Sequence, residues 1–200
     1  MHCSYNTNGK VERARLTIFV RIKGGDILQR ILIIGCSGAG KSTLARQLGD
    51  ILPLPVIHLD RLYWQPNWTK TDKPLFLKKL TEQLEKPQWI IDGNFDSTLD
   101  LRLQYADCVI FLDFATHTCI RRILWRYVTN FGQTRIDMTE GCTEKIDAEF
   151  LCWIARYKRD ARPHVVQLLS NITVPSIVLQ TPAQAARWLK NIEKKASETA

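Results

Sequence analysis

Six cysteines occur in the sequence without a single C-x-x-C pair and without the even spacing of a disulfide framework. Cys108 lies in an apolar run and Cys119 in an apolar-rich helical pattern, which suits buried thiols and a reducing, cytoplasmic protein. A zinc site from His117, Cys119, Cys142 and Cys152 would lack the usual ligand spacings and is not expected. No uncharged apolar run approaches the ~20 residues that span a bilayer, so no membrane partner is expected. The apolar stretch 16–20 is too short for a signal-peptide core. G-x-G-x-x-G is absent, which argues against a Rossmann dinucleotide site. N-K-x-D is absent as well, which disfavours a guanine-specific GTPase.

What remains is an ordinary globular composition, 45% apolar and 24% charged over 200 residues. That is enough chain to bury one core without cross-links. The net charge of +8 is unevenly placed. Residues 1–30 carry six basic side chains against Glu12 and Asp26, half of the excess before any motif begins. Gly24-Gly25 then separates this stretch from the remainder of the chain. Residues 1–28 read as a flexible or weakly ordered basic leader, and 29–200 as one domain. The rest of the positive charge suits a protein that handles polyphosphates.

Short apolar runs alternate with helical segments, the pattern of a parallel α/β sheet. Strands are expected at 31–34, 56–59, 89–91, 108–112 and 173–179. Helices are expected at 41–51, 72–85, around 120–127, as one long segment over 146–169, and after Pro182. Residues 130–143 carry glycine and polar residues and read as a loop or lid, about 122–145 with its flanks.

Gly35-Cys36-Ser37-Gly38-Ala39-Gly40-Lys41-Ser42 matches G-x-x-x-x-G-K-[ST] at every fixed position, between an expected strand and an expected helix. Glycines let successive N–H groups curl around an anion, and the helix N-terminus adds partial positive charge. Residues 35–43, through Thr43, thus form a candidate phosphate cradle for ATP. Lys41 reaches the β- and γ-phosphates, and Ser42 ligates Mg²⁺.

Other residues separate the enzyme classes that share this cradle. Asp60 follows the second strand at the carboxyl edge of the sheet, where it accepts a proton from an acceptor hydroxyl, ligates Mg²⁺ through water, or caps a helix or turn. Tyr63, Trp64 and Trp68 either stack on an acceptor or pack a lid. Asp92 ends an apolar strand in Asp-Gly, the form of a carboxylate that holds Mg²⁺ through its waters, with Gly93 leaving room for phosphate. Asp113 is its rival, or else the cap of the next helix. From Arg121 to Arg135 there are four arginines and no acid. Arg122, Arg126 and Arg135 suit a lid that stabilises a transferring phosphoryl group. Arg102 is a candidate for binding an acceptor anion.

The segments GCSGAGKSTLARQLGDILPLPVIHLDRLYW, WIIDGNFDSTLDLRLQYADCVIFLD and CIRRILWRY resemble the DNA topology modulation protein family, over about residues 31–195. The resemblance implies the P-loop NTPase fold of nucleoside and nucleotide kinases: five parallel strands flanked by helices, with a lid. Asp92-Gly93 is followed by Asn94-Phe95-Asp96, a departure from the Asp-Gly-Phe-Pro-Arg element of adenylate kinases. The expectation is therefore a Mg-dependent phosphotransferase acting with ATP on a small nucleoside, nucleotide or metabolite. The competing reading is a nucleotide-dependent regulator that binds DNA or a protein through the leader and Arg156, Lys158, Arg159 and Arg162. An ATPase is a third reading. Nucleic acid is the less favoured partner, and the expected state is a monomer or homodimer.

Overall fold

A computed structural model describes residues 28–199. The leader expected over 1–28 lies, up to residue 27, outside the described residues. Chain order runs β1 (Arg30–Gly35), α1 (Lys41–Ile51), β2 (Val56–His58), α2 (Leu59–Tyr63), β3 (Trp64–Gln65), β4 (Thr69–Lys70), α3 (Lys73–Leu84) and β5 (Trp89–Asp92). It continues with α4 (Leu99–Leu103), β6 (Cys108–Leu112), α5 (Thr116–Thr129), α6 (Ala148–Asp160), α7 (Arg162–Asn171), β7 (Ser176–Leu179) and α8 (Pro182–Thr199).

The main sheet has five strands in the order β2-β5-β1-β6-β7. All of its pairings are parallel, with Ile31 opposite both Ile90 and Cys108. Parallel sheets need both faces covered, and the chain supplies an apolar side chain for each face by simple alternation. Ile31 and Ile33 enter one core with Leu44, Leu48, Ile123, Ile154 and Trp188 from α1, α5, α6 and α8. Leu32 and Ile34 enter the other with Leu80, Leu84, Leu103, Val165 and Leu169 from α3, α4 and α7.

The helix expected over 146–169 is broken in two. Ala161 departs to φ −102°, and Pro163 stands in the first turn of α7. Proline has no N–H to give and its ring collides with the carbonyl four residues back, so the helix cannot run through. The break has a packing consequence. Ile154 and Tyr157 of α6 serve one core, while Val165 and Leu169 of α7 serve the other.

The same joint carries an ion pair that replaces both roles expected of Asp113. The N-cap of α5 is Ala115, not Asp113. Buried Asp113 instead accepts two bonds from Arg162, at Nε and Nη2, both 2.8 Å, with Lys158 Nζ at 3.3 Å. Two basic residues proposed for DNA are thus engaged by Asp113, and Arg159 pairs with Asp160 at 2.6 Å.

Asp113→Asn removes the buried charge while Arg162 and Lys158, both partly exposed, regain water. The expected loss is therefore nearer about 2 kcal/mol than the full penalty of a broken buried pair, a fall of roughly 5 °C in Tm by thermal unfolding.

Candidate active site

β1 ends at Gly35, and the next five residues cross to the start of α1. The crossing is tight: the Ala39 amide donates to the Cys36 carbonyl at 3.1 Å. Gly38 (φ 80°) and Gly40 (φ 93°) lie in the left-handed region. A Cβ at Gly38 would stand 2.5 Å from the Cys119 carbonyl oxygen and 2.9 Å from Ile123, so the loop lies flat on α5. Arg122 ties it there, donating from Nη1 to the Ala39 carbonyl at 2.9 Å. Gly40 caps α1 without a side-chain bond, which leaves the first-turn amides to the cavity. Lys41 Nζ donates back to the Cys36 carbonyl at 3.2 Å, over the loop.

Residues 37–43 line one large cavity. Gly35 and Cys36, expected in the cradle, stand behind it instead. Buried Cys36 donates its thiol to Cys119, which raises the proton affinity of the first sulfur and lowers that of the second.

Three carboxylates face the cradle. Asp60 is the second residue of α2, past the N-cap position held by His58, so it is not a helix cap. Burial raises its pKa above 3.8, and Asp92 and Asp137 push the same way against Lys41 and Arg135. Asp92, at the end of β5, is buried and pairs in register with His58, whose Nδ1 donates to Oδ1 at 2.5 Å. The sequence reading missed that orienting histidine. It also missed Asp137, on which the Ser42 hydroxyl acts electrostatically. Burial pushes Asp137 up, but Arg135, Ser42 and its own backbone outweigh it and hold the carboxyl below its ordinary value. A Cβ at Gly93 would meet Leu59 at 2.7 Å, so that glycine admits the start of α2 while also lining the cavity.

The arginines converge as a group, on an acid the sequence did not single out. Buried Glu144 accepts from Arg126 Nε at 3.1 Å and Nη2 at 2.8 Å. Arg135 Nε stands 2.9 Å from Glu144 Oε2, an ionic contact too misaligned for a hydrogen bond, and its Nη1 is 3.4 Å from Asp137. Burial lowers the pKa of Arg126, Arg135 adds to this, and Glu144 opposes it. All three arginines line the cavity with Asp60, Asp92 and the cradle.

Segment 130–147 reaches the aromatic loop by side-chain donors on main-chain carbonyls. Thr139 Oγ1 donates to the Trp64 carbonyl at 2.6 Å, Cys142 Sγ to Gln65 O at 3.2 Å, and Trp68 Nε1 to Thr143 O at 3.1 Å. Tyr63 packs on Trp64, Phe76 and Phe95, while Trp64 and Trp68 also face the cavity. The aromatics thus pack against the segment 130–147, and two of them line the cavity.

Arg102 does not serve as expected. It is fully buried, and its donors go to the carbonyls of Gly93 (3.2 Å), Phe95 (2.6 Å) and Thr98 (3.3 Å). Burial drops its pKa to about 9. The guanidinium shapes the loop after Asp92 and is closed to an acceptor anion. Among the described residues, no three His, Cys, Asp or Glu side chains group to hold a metal ion alone, and no helix is long and apolar enough to cross a membrane.

Gly38→Ala and Gly40→Ala both place a side chain in the left-handed region, at a cost of roughly 1–2 kcal/mol each. At Gly40 the new Cβ meets only the Arg122 guanidinium, at 3.1 Å; at Gly38 it meets α5 backbone. Gly38→Ala should therefore lose more Tm and more binding of a fluorescent ATP analogue than Gly40→Ala.

No family model matches the chain. It is 28% identical over 131 residues to the uncharacterized protein YqaC of Bacillus subtilis (strain 168), covering 64% of this chain and 72% of that one. Among solved structures it resembles shikimate kinase from Bacteroides thetaiotaomicron, with TM-score 0.51, 19% identity, and 85% and 99% of the two chains covered. Shikimate kinase from Acinetobacter baumannii in complex with shikimate superposes with TM-score 0.51, 16% identity and 88% and 97% coverage. Deoxyadenosine kinase from M. mycoides with bound dATP does so with TM-score 0.50, 16% identity and 84% and 99% coverage. The chain has the α/β fold of these small P-loop kinases, a five-stranded parallel sheet flanked by helices.

Proposed function

We propose that this chain is a Mg²⁺-dependent, ATP-using phosphotransferase of the adenylate-kinase-like group, acting on a small acceptor, as its resemblance to the topology modulation family implies. The observation that carries this reading is Asp60: a carboxyl of raised proton affinity within electrostatic reach of the cradle lysine, in the same cavity.

Lys41 and the amides of residues 37–43 hold the triphosphate. Asp60 orients the acceptor hydroxyl and takes its proton as transfer proceeds, and its raised pKa makes it a better base than an ordinary aspartate. Arg122, Arg126 and Arg135 offer their remaining N–H groups to the charge on the transferring group, with Glu144 holding two of them in place. Residues 122–145 act as the lid. Oxygen donors fit a magnesium ion beside Lys41: the Ser42 hydroxyl, which acts on Asp137, and Asp92 oriented by His58. Magnesium is ordinarily held by one or two carboxylates plus phosphates, so no all-protein ligand cluster is required. When bound, the ion neutralises charge between the phosphates.

An acceptor panel with ATP and Mg²⁺ tests the reading; hydrolysis alone, with no acceptor modified, would sink it. Asp60→Asn should cut transfer by roughly 10²–10⁴-fold with ATP-analogue binding retained. The same variant should be more heat-stable at pH 7. A carboxyl raised on folding favours the native state at low pH, and that advantage is lost as pH climbs from 3.8 through the raised value. Asparagine escapes that loss, so the Tm difference should vanish below the ordinary carboxyl pKa. A pH-independent difference would contradict it.

A further inference from the structure

Resting on that reading, we infer that the acceptor is an uncharged or cationic alcohol with a flat apolar body, and that alcohols bearing a phosphate or carboxylate are poor acceptors. The cavity measures about 1380 Å³, more than one drug-sized ligand fills, so a nucleotide and a second molecule fit together. An anionic acceptor, arriving beside a polyanionic triphosphate, needs a guanidinium of its own.

Among the described arginines that line the cavity, each but Arg46 is already engaged. Arg102, the cation nearest the loop after Asp92, is closed off by carbonyls. Arg126 and Arg135 are matched to Glu144 and Asp137. Arg122 is tied to the cradle. Two further cations line the cavity, and both are exposed: Arg46 on α1, and Lys145, which sits 4.9 Å over the Trp68 ring.

Asp60, Asp92 and Asp96 line the same cavity, with Asp92 bonded to His58 and Asp96 to His164 at 3.0 Å. Carboxylates facing one cavity disfavour a further anion and favour a cation. Trp64 and Phe95 also line the cavity, and Tyr63 packs on both at centroid distances of 4.9 and 4.7 Å. Rigid aromatic faces favour a planar or apolar body.

The step balances without another reagent. The acceptor oxygen forms a bond to the γ-phosphorus, the bond from that phosphorus to the β,γ-bridging oxygen breaks, and ADP leaves with the electron pair. The hydroxyl proton passes to Asp60 and then to water.

The test offers matched alcohols to the full chain with ATP and Mg²⁺, reading products by mass spectrometry: adenosine against AMP, cytidine against CMP, choline alone, and glucitol against gluconate. Uncharged or cationic members should show kcat/KM at least tenfold above their anionic partners, with adenosine or cytidine above glucitol. An anionic member matching or exceeding its partner overturns this inference and leaves phosphotransfer intact. Transfer to no member, with the ATP analogue still bound, overturns the phosphotransfer reading and this inference with it. Glu144→Gln releases Arg126 and Arg135 and should raise the relative kcat/KM for AMP at least fivefold. Unchanged selectivity in a variant that still binds the analogue would count against the charge argument.

Discussion

Parallel pairing sends every strand of the sheet in the same direction, so every strand end that carries chemistry emerges at one edge. Gly35 leaves β1 there, Asp92 ends β5 there, and Asp60 follows β2 there. The shared direction of the strands brings Asp60, Asp92 and the loop after Gly35, distant in sequence, into one cavity. The arrangement holds because both faces of the sheet are sealed by apolar side chains that alternate along each strand. Water is kept from the strands, and the polar groups gather where the strands stop.

α5 is the second organising element. Its body supports the phosphate loop through the close contact at Gly38 and the Arg122 bond to Ala39. Its end carries Arg126, which joins Arg135 on Glu144. Cradle and covering segment are thus fastened to one rod, and Arg126 and Arg135 are paired with carboxylates before any phosphate arrives. Fixed, pre-paired donors need little reorganisation when charge shifts during transfer, which is the condition under which electrostatic stabilisation is most effective.

The outcomes at individual residues separate what was legible in the sequence from what was not. The loop from β1 to α1 was readable because G-x-x-x-x-G-K-S is a local conformational demand, met by neighbours in the chain. The five strands were readable because each is a continuous apolar run. Asp113, Arg102 and Asp137 were not. Asp113 and Asp92 look alike in sequence, each closing an apolar strand, yet one binds Arg162 from 49 residues away and the other lines the cavity. Arg102 has the look of an anion binder, but α4 turns it inward onto carbonyls. Asp137 reaches Ser42 from 95 positions downstream in the numbering, and no spacing rule connects them.

The sequence alone determined the strands, the phosphate loop and the supply of acids and arginines along one edge, because these follow from local periodicity, glycine geometry and the direction of parallel strands. Tertiary structure alone decided which charges cancel. Whether an arginine is free to meet a ligand depends on the nearest carboxylate in space, and Coulomb attraction at about 3 Å takes no account of distance along the chain.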